Sequence, residues 1–325
     1  MKRTLIIFAL VISILLVVTG GIWEFRKKIT SPGANKDPIL IQIKKGDTIA
    51  QVSSDLRANK VFNDERFFLW VFRWRGAVLK TGYYEIPANA SVLQVVDLIN
   101  SGKIKLLKIT IPEGWRVEQI GARLAENKIV DYSEFVKAAK GQEGKLFPDT
   151  YFLNPKESAS DIVKIMTENY SSRVQGLIVS SDNLVLASIV EREAANDSDR
   201  PVIAAIYLNR LKRGMKLEAD PTVQYGKDNN NIKSLSAANQ LEYKYWRSIT
   251  LTDYQSVISE YNTYRIAGLP ATPICNPGLK SIEAVLNPDK NDYIYFLHHD
   301  GKIYPSKTEA EHNTNRVKIL GAKID

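Results

Sequence analysis

The segment 184–195 reads LVLASIVEREAA and predicts a helix that is buried on most of its sides. At about 100° per residue its apolar side chains cover nearly the whole circumference, which is typical of a helix at the centre of a domain. Two glutamates, Glu191 and Glu193, nevertheless lie in it. A carboxylate is almost never buried alone, so each must find a partner, reach a cleft or keep its proton.

The helical wheel separates the two glutamates. Glu191 lies among a leucine and three alanines, which leave room for a ligand, whereas Glu193 points towards bulkier aliphatic side chains. We therefore expect Glu191 to face a cleft and Glu193 to be a structural carboxylate, paired with an arginine. An ion pair at Glu191 is the alternative that the helix alone leaves open. Its candidate partners are Arg192, Arg200 and Arg210.

The flanking segments predict loops and further helices. An aromatic loop, EGKLFPDTY at 143–151, precedes a helix that we expect to start near Ser158. A second helix over 201–213 begins with a proline and ends at Gly214. The segment 215–226, MKLEADPTVQYG, is expected to be a short strand or loop.

A long irregular loop follows YNTYR at 261–265 and runs through GLPATPICNPG at 268–278. Interleaved Tyr, Asn, Thr and Asp near a cleft are typical of sugar recognition. Aromatic rings stack on the apolar faces of pyranoses, and amides bond hydroxyl and N-acetyl groups. The alternative is a loop that only crosses a surface.

Residues 5–23, LIIFALVISILLVVTGGIW, contain no charge, and about 20 such residues are needed to cross a bilayer as a helix. We predict a retained membrane anchor, because no small-residue cleavage site closes the run as in a signal peptide. Basic residues flank both ends, so the positive-inside rule does not decide the orientation. The polar stretch 30–38 is expected to be a tether.

Three segments, 43–61, 86–104 and 111–129, share one spacing of apolar residues and a lysine at the same place. Apolar positions four apart fall on one helix face, so each repeat predicts a strand, a turn, a helix and a next strand. Asp47 and Ser91 are expected to cap their helices. The first repeat, with its Gly-Asp-Thr turn, resembles a LysM module, a small fold that binds N-acetylglucosamine-containing glycans. Plain α+β architecture without glycan binding is the alternative.

Composition removes several classes of function. The 325 residues carry a net charge of +8, which by itself names no partner, and a single cysteine, Cys275, which excludes an internal disulfide. We expect no nucleotide site, because no phosphate-binding glycine motif occurs. A metal site is disfavoured, since adjacent histidines on a strand point apart and the segment predicts a hairpin instead. The residues concerned are His298, His299, Asp300 and His312.

Taken together, five ordered motifs resemble the endolytic murein transglycosylases, the MltG or YceG-like family, over essentially the whole chain. The motifs are EG and FPDTY within 143–151, ASIVERE at 187–193, NRL with GM at 209–215, DPTV with YG at 220–226, and YNTY, GLP and NPG within 261–278. The chain departs from the family pattern in two places. The segment between Asn231 and Tyr261 is longer than expected, and the C-terminal Thr308 to Asn313 region lacks the family's preceding phenylalanine pattern.

The resemblance implies an α+β protein of bacteria, held in the cytoplasmic membrane by a single pass with its catalytic domain outside the cytoplasm. The domains that we expect are a cytoplasmic N-terminus (1–4), a transmembrane helix (5–23), a linker (24–38), a LysM-like subdomain (39–108) and a catalytic domain (109–325) that starts with a helical junction (109–140). The expected partners are peptidoglycan glycan strands, the membrane and peptidoglycan synthases, with no nucleic acid and no cofactor or metal.

The resemblance also implies the chemistry. The glutamate of the Ala-Ser-Ile-x-Glu motif is the family's catalytic acid, and that position here is Glu191. One carboxyl suffices as general acid and base if the C6 hydroxyl of N-acetylmuramic acid is the nucleophile, which leaves a 1,6-anhydro end. The expected substrate-binding residues are Asp220, Thr222, Tyr225, Asn262, Tyr264 and Asn276. The alternative function is a non-catalytic, glycan-binding scaffold for the peptidoglycan synthesis machinery.

Overall fold

The computed structural model describes residues 2–321, which form helices and short strands in two compact units, Met1–Leu107 and Lys108–Asp325. Each sheet in the described part of the chain has two strands. The predicted α+β class is therefore confirmed. Met1 of the predicted N-terminus and residues 322–325 of the predicted catalytic domain lie outside the described residues.

The first unit builds one small sheet and four helices around a continuous apolar core. Strands β1 and β2 pair antiparallel, with Ile41 opposite Tyr84. The elements are α1 (Lys2–Thr30), β1 (Ile39–Ile43), α2 (Ile49–Ala58), α3 (Glu65–Trp74), β2 (Gly82–Ile86) and α4 (Val92–Ser101).

Helix α1 contains Ile6–Thr30, a 25-residue stretch that is long and apolar enough to cross a bilayer. The helix does not end where the uncharged run ends. It continues to Thr30, and Ile29 is buried in the core of the first unit. The segment after it is also fastened, because the buried Asn35 amide donates to the carbonyls of Asp37 and Pro87. Residues 24–38, expected as a loose linker, thus contain a rigid helix end and a hydrogen-bonded turn.

The second unit contains ten helices and most of the strands in the described part of the chain. Its elements are β3 (Leu107–Thr110), α5 (Val117–Glu126), α6 (Tyr132–Ala138), β4 (Thr150–Leu153), α7 (Ala159–Arg173), α8 (Ser181–Glu193), α9 (Asp199–Lys212), α10 (Asp220–Ile232), α11 (Ala237–Leu241), α12 (Asp253–Ser256), α13 (Leu279–Leu286), β5 (Tyr295–His299), β6 (Lys302–Ser306) and α14 (Glu309–Leu320). Strand β3 pairs with β4, and β5 with β6. Helix α14 is the last element of the unit and packs against β5 and β6.

The helix predicted in each repeat is confirmed. The paired apolar positions are buried in α2 (Val52 and Leu56), α4 (Val95 and Ile99) and α5 (Ile120 and Leu124). The strand expected after the helix is present only in the second repeat, where β3 begins three residues beyond Ile104. It is wrong for the first and third repeats, because α3 follows α2 and α6 follows α5. In the first and third repeats the preceding lysine, Lys60 or Lys128, takes a left-handed conformation (φ 57° and 56°) and turns the chain away.

The cap expected at Ser91 is confirmed, and the one expected at Asp47 is wrong. Ser91 accepts a hydrogen bond from the Gln94 N–H, and the Gln94 side chain accepts one from the Ser91 N–H (2.9 Å). In α2 the neighbouring Thr48 makes the same reciprocal pair with Gln51. The Asp47 carboxylate instead accepts from the Lys44 N–H (2.6 Å), one turn earlier.

Two expectations for the second unit have opposite outcomes. The segment expected as a strand or loop from residue 215 is helical from Asp220, because Pro221 occupies the first turn of α10, where its missing N–H costs nothing. The hairpin expected around Asp300 is confirmed. Asp300 and Gly301 both have positive φ (48° and 71°), as a tight two-residue connection between β5 and β6 requires.

The capping difference predicts a difference in stability. We expect Ser91→Ala to lower the free energy of unfolding by about 1 kcal/mol, because the Gln94 N–H at the start of α4 loses its partner, the Ser91 hydroxyl. Asp47→Ala removes only a hydrogen bond within an exposed turn and should cost less. Urea unfolding of the full-length protein in detergent measures both variants, and equal losses would contradict the assignment of the caps.

Candidate active site

Helix α8 is the central element of the second unit. Its side chains from Leu184 to Val190 are all buried, and it packs against α9, α10 and α13. The irregular loop before α13 is joined to it, since the Ile274 N–H donates to the Ser188 hydroxyl (3.0 Å) and the Cys275 thiol to the Ser188 carbonyl (3.2 Å). Both glutamates at its C-terminal end are therefore held by a rigid helix.

Glu191 is enclosed and its carboxylate is fully engaged. Its side chain is 6% exposed, and Arg200 donates to Oε1 at 3.1 Å. The Gly278 N–H (3.0 Å) and the Ser281 hydroxyl (2.8 Å) donate to Oε2. Gly278 is the N-cap of α13, so the carboxylate lies at the positive end of that helix. Glu191 thus clamps α8 to α13.

The space beside this clamp is filled by other charged groups. Glu113 lies 3.8 Å from Arg200, and burial together with the nearby Glu191 raises the pKa of Glu113. A β-carbon at position 278 would collide with the Glu113 carboxylate, so Glu113 lies in its present place because residue 278 is a glycine. Arg200 also bonds Asp197 and the Ser281 hydroxyl. The ion pair that the sequence left open at Glu191 is therefore present, with Arg200 as the partner.

Glu193, two residues later, has a different environment. Burial raises its pKa from 4.5 to about 7. The Tyr207 hydroxyl on α9 donates to Oε1 at 2.8 Å, and burial raises the pKa of Tyr207 well above its usual value, so the tyrosine keeps its proton. Glu193 lines a cavity of about 430 Å³. The arginine partner expected for Glu193 lies at Glu191, and Glu193 is a carboxyl group that is half protonated near neutral pH.

Two of the expected binding residues line the same cavity as Glu193. They are Asp220, the first residue of α10, and Tyr264 from the irregular loop. The Tyr264 hydroxyl donates to Asp220 at 2.8 Å, and its ring packs against that of Tyr254, with centroids 4.2 Å apart. The cavity therefore presents the carboxyl groups of Glu193 and Asp220 together with tyrosine rings, a combination suited to a sugar.

Two other expected binding residues lie inside the fold. Thr222 and Asn262 are both fully buried. The Thr222 hydroxyl donates to the Ala219 carbonyl at 2.6 Å and is also bonded to Thr263. The Asn262 amide donates to the carbonyls of Tyr254 and Val257, and its oxygen accepts from the Tyr264 N–H. The structure thus places both in the turn that presents Tyr254 and Tyr264, with no surface open to a sugar.

Asn276 is also fully buried and joins three loops. Its side-chain oxygen accepts from the N–H groups of Gly144 and Leu146, both at 2.9 Å. Its amide donates to the Trp115 carbonyl (3.0 Å) and to Glu143 (2.8 Å), whose pKa burial raises to about 8. Asn276 accordingly orders the loops around α8 instead of facing a cavity.

Tyr225 lies on a different, larger cavity of about 920 Å³. Its ring faces the guanidinium of the fully buried Arg116 at 4.0 Å and packs against Tyr261. The structure therefore does not bring Tyr225 to the Glu193 cavity. Within residues 2–321, no group of three or more His, Cys, Asp or Glu side chains is arranged to hold a metal ion.

Two residues that line the Glu193 cavity, Tyr207 and Tyr254, were not predicted from the sequence. Tyr207 lies in an otherwise apolar stretch of α9, where a buried phenol needs a polar partner, and that requirement was a usable signal. Tyr254 lies in the segment between residues 231 and 261 that departs from the family pattern. Its place beside Asp220 depends on the tertiary fold, and no local pattern indicates it.

Comparisons with known proteins agree with this architecture. The model of the YceG-like family matches residues 41–318. The chain belongs to the YceG-like family. A crystal structure of a YceG-like protein from Listeria monocytogenes is 29% identical, with a TM-score of 0.53, and the match covers 86% of this chain and 99% of that one.

Curated relatives carry a more specific name. A Bacillus subtilis (strain 168) protein named endolytic murein transglycosylase is 30% identical over 348 residues, which cover 94% of this chain and 92% of the relative. A Streptococcus pneumoniae (serotype 2, strain D39) protein of the same name is 23% identical. That match covers 98% of this chain and 66% of the relative's length.

The position of Asn262 predicts a structural phenotype. We expect Asn262→Ala to destabilise the protein by about 1–3 kcal/mol, because it leaves buried carbonyls and an N–H without partners. Tyr264→Phe, which removes one half-buried hydroxyl from the same turn, is the matched control and should cost less. Thermal unfolding measures both. A stable Asn262→Ala protein with weakened glycan binding would show that Asn262 contacts the ligand after all.

Proposed function

We propose that this chain is a membrane-anchored endolytic murein transglycosylase that cuts the glycan strands of peptidoglycan. Family membership and the shared name of the relatives support the substrate class. The observation that carries the reaction type is Glu193, a carboxyl group with a pKa of about 7 on a cavity that also has tyrosine rings. A general acid works best when its pKa lies near the working pH.

Glu193 is the proton donor in this proposal, in place of Glu191. The Glu191 carboxylate has both oxygens bonded in the clamp, to Arg200, the Gly278 N–H and the Ser281 hydroxyl, which leaves neither oxygen directed at a cavity. Glu193 has one bonded partner, the Tyr207 hydroxyl, whose hydrogen bond lowers the pKa of Glu193 by less than burial raises it. Glu191 in the proposal is a positioning residue that fixes the end of α8.

The proposed reaction needs one proton donor and no water. The Glu193 carboxyl gives its proton to the bridging oxygen of the β-1,4 bond between N-acetylmuramic acid and N-acetylglucosamine, and the C1–O bond breaks. The C6 hydroxyl of the muramic acid bonds to C1 and closes a 1,6-anhydro ring. Its proton passes to the Glu193 carboxylate, which restores the enzyme.

The neighbouring groups support this reaction electrostatically. Positive charge develops on the sugar ring as the bond breaks, and a carboxylate on the same cavity stabilises it. Asp220, held by the Tyr264 and Tyr254 hydroxyls, is placed for this role. Two carboxyl groups also characterise hydrolases, so Asp220 favours hydrolysis to a reducing end as the second candidate reaction.

The proposal places α1 in the cytoplasmic membrane as a single pass, with everything after it outside the cytoplasm, where glycan strands are made. Helix α1 has the length and composition for the span. Glycan binding by the LysM-like residues 39–108 and contact with peptidoglycan synthases remain predictions. The scaffold alternative requires that purified protein leaves glycan strands intact.

The central test compares the two glutamates. Full-length protein in detergent is incubated with uncrosslinked glycan strands, and products are identified by mass spectrometry. We expect wild type to release anhydro-ended fragments and Glu193→Gln to lower turnover by at least about 10²-fold, because glutamine cannot transfer a proton. Glu191→Gln is the matched control. It should lower stability by about 1–3 kcal/mol and retain most of the turnover per folded molecule.

The pKa of Glu193 adds a pH dependence with a definite sign. The folded form binds this proton more tightly than the unfolded chain, whose glutamates titrate near 4.5, so ionisation destabilises the fold as the pH rises towards and past about 7. Turnover should fall over the same range. Glu193→Gln should unfold at a higher temperature than wild type at pH 8, and this advantage should vanish at pH 4. Loss of activity in Glu191→Gln alone would return the catalytic role to Glu191.

Topology is tested separately. A reporter enzyme that is active only in the cytoplasm is fused after Asp325, and we expect it to be silent. The matched control carries the same reporter on the N-terminal side of α1, where it should be active. An active C-terminal fusion would overturn the proposed orientation without bearing on the chemistry.

A further inference from the structure

Helix α3 exposes two large aromatic side chains on its outer face. Trp70 is 48% exposed and Trp74 is 62% exposed, and their rings stack with centroids 5.7 Å apart. Arg66 and Arg73 lie on the same outer face, while Phe68, Val71 and Phe72 are buried in the core of the first unit. We call the exposed set Arg66, Trp70, Arg73 and Trp74 the α3 face. Exposed aromatic patches of this kind mark interaction sites.

The α3 face is continuous with the membrane helix. Phe25 of α1 packs edge-on against Trp70, with ring centroids 4.5 Å apart, and also contacts Phe67. Because Ile29 is part of the same core, α1 and α3 are held together by packing and not by a tether. The position of α1 along the bilayer normal therefore sets the position of α3.

The length of α1 places this contact at the membrane surface. At about 1.5 Å per residue, the uncharged residues from Ile6 to Trp23 extend about 27 Å, close to the thickness of the hydrocarbon layer. Phe25 lies about 3 Å beyond Trp23 along the helix. Its partner Trp70 is then at the level of the lipid headgroups, where tryptophan is favoured in membrane proteins.

The charges around these rings match an anionic surface. Lys27 lies over the Trp23 ring and Lys28 over the Phe67 ring, each at 5.2 Å, and Arg75 lies over the Trp74 ring at 5.8 Å. Three acidic groups of the first unit are paired with arginines, Asp64 with Arg66, Glu65 with Arg57 and Asp97 with Arg75, and Glu24 lies beside Phe25 on α1. Basic side chains near an anionic bilayer surface are attracted to it.

We propose that α3 is a second membrane contact, whose α3 face lies in the headgroup layer and binds anionic lipid. The proposal rests on the proposed insertion of α1. Its consequence is that the first unit is attached at two places, by α1 and by α3, and is held at a fixed height and tilt on the bilayer. A hydrophobic face of a partner protein is the competing occupant. Two adjacent indole rings flanked by arginines favour the interface, since Trp and Arg combine an apolar body with a polar end.

Quenching of tryptophan fluorescence by brominated lipid tests the proposal. Full-length protein is reconstituted in phosphatidylcholine vesicles with and without phosphatidylglycerol. The fluorescence of the Trp70→Phe/Trp74→Phe variant is subtracted from that of wild type. The difference is the signal of the α3 face, because the other tryptophans contribute equally to both proteins. We expect brominated chains to remove about half or more of that signal, as for a ring in the interface. The difference in fluorescence between wild type and Trp23→Phe reports the insertion of α1 in the same way.

A second variant tests whether the arginines of the α3 face are needed for binding to anionic lipid. Arg66→Glu/Arg73→Glu keeps both indoles, and we expect it to remove the increase in quenching that phosphatidylglycerol produces in wild type. Quenching of Trp23 with no quenching of the α3 face would overturn the inference and leave the anchor intact, favouring a protein partner. Absence of quenching at both places would instead refute the insertion of α1.

Discussion

The burial of α8 is the constraint on which the second unit depends. An apolar helix in the middle of a domain cannot end in two free carboxylates, because each would lose its hydration without compensation. The fold solves this twice and differently. Glu191 receives Arg200 and two further donors, whereas Glu193 receives one tyrosine and has a pKa raised by burial to about 7. One helix end thus carries two carboxyl groups with different surroundings two residues apart.

The loops around α8 are ordered by buried amides and not by an apolar core of their own. Asn276 bonds to three loops, and Asn262 closes the turn that carries Tyr254 and Tyr264. Irregular backbone leaves many polar groups to satisfy, and an asparagine satisfies donors and acceptors together. The cavity can therefore be lined by loops and still be rigid enough to position an acid against a single bond.

Sequence patterns predicted the helices and strands better than they predicted the side-chain contacts. Helical periodicity located α2, α4, α5 and α8, since burial of one face acts locally, and turn chemistry located the hairpin at Asp300. Polar residues in the motifs were harder to interpret. Asp220 and Asn262 belong to the same kind of motif, yet one lines a cavity and the other is buried. Asp220 meets Tyr264 from 44 residues away, whereas Asn262 bonds to backbone groups within eight residues of it, and the spacing of the motifs does not separate the two cases.

The two glutamates of α8 show the same limit at one helix end. Small neighbours on α8 itself predict an open side at Glu191. In the structure α13 and Arg200 cover Glu191, and a cavity lined from α9 and α10 lies beside Glu193. Room for a ligand is a property of what packs against a helix. A carboxyl group in an apolar helix therefore marks a site, and only its tertiary partners distinguish an acid that turns over from one that holds the fold together.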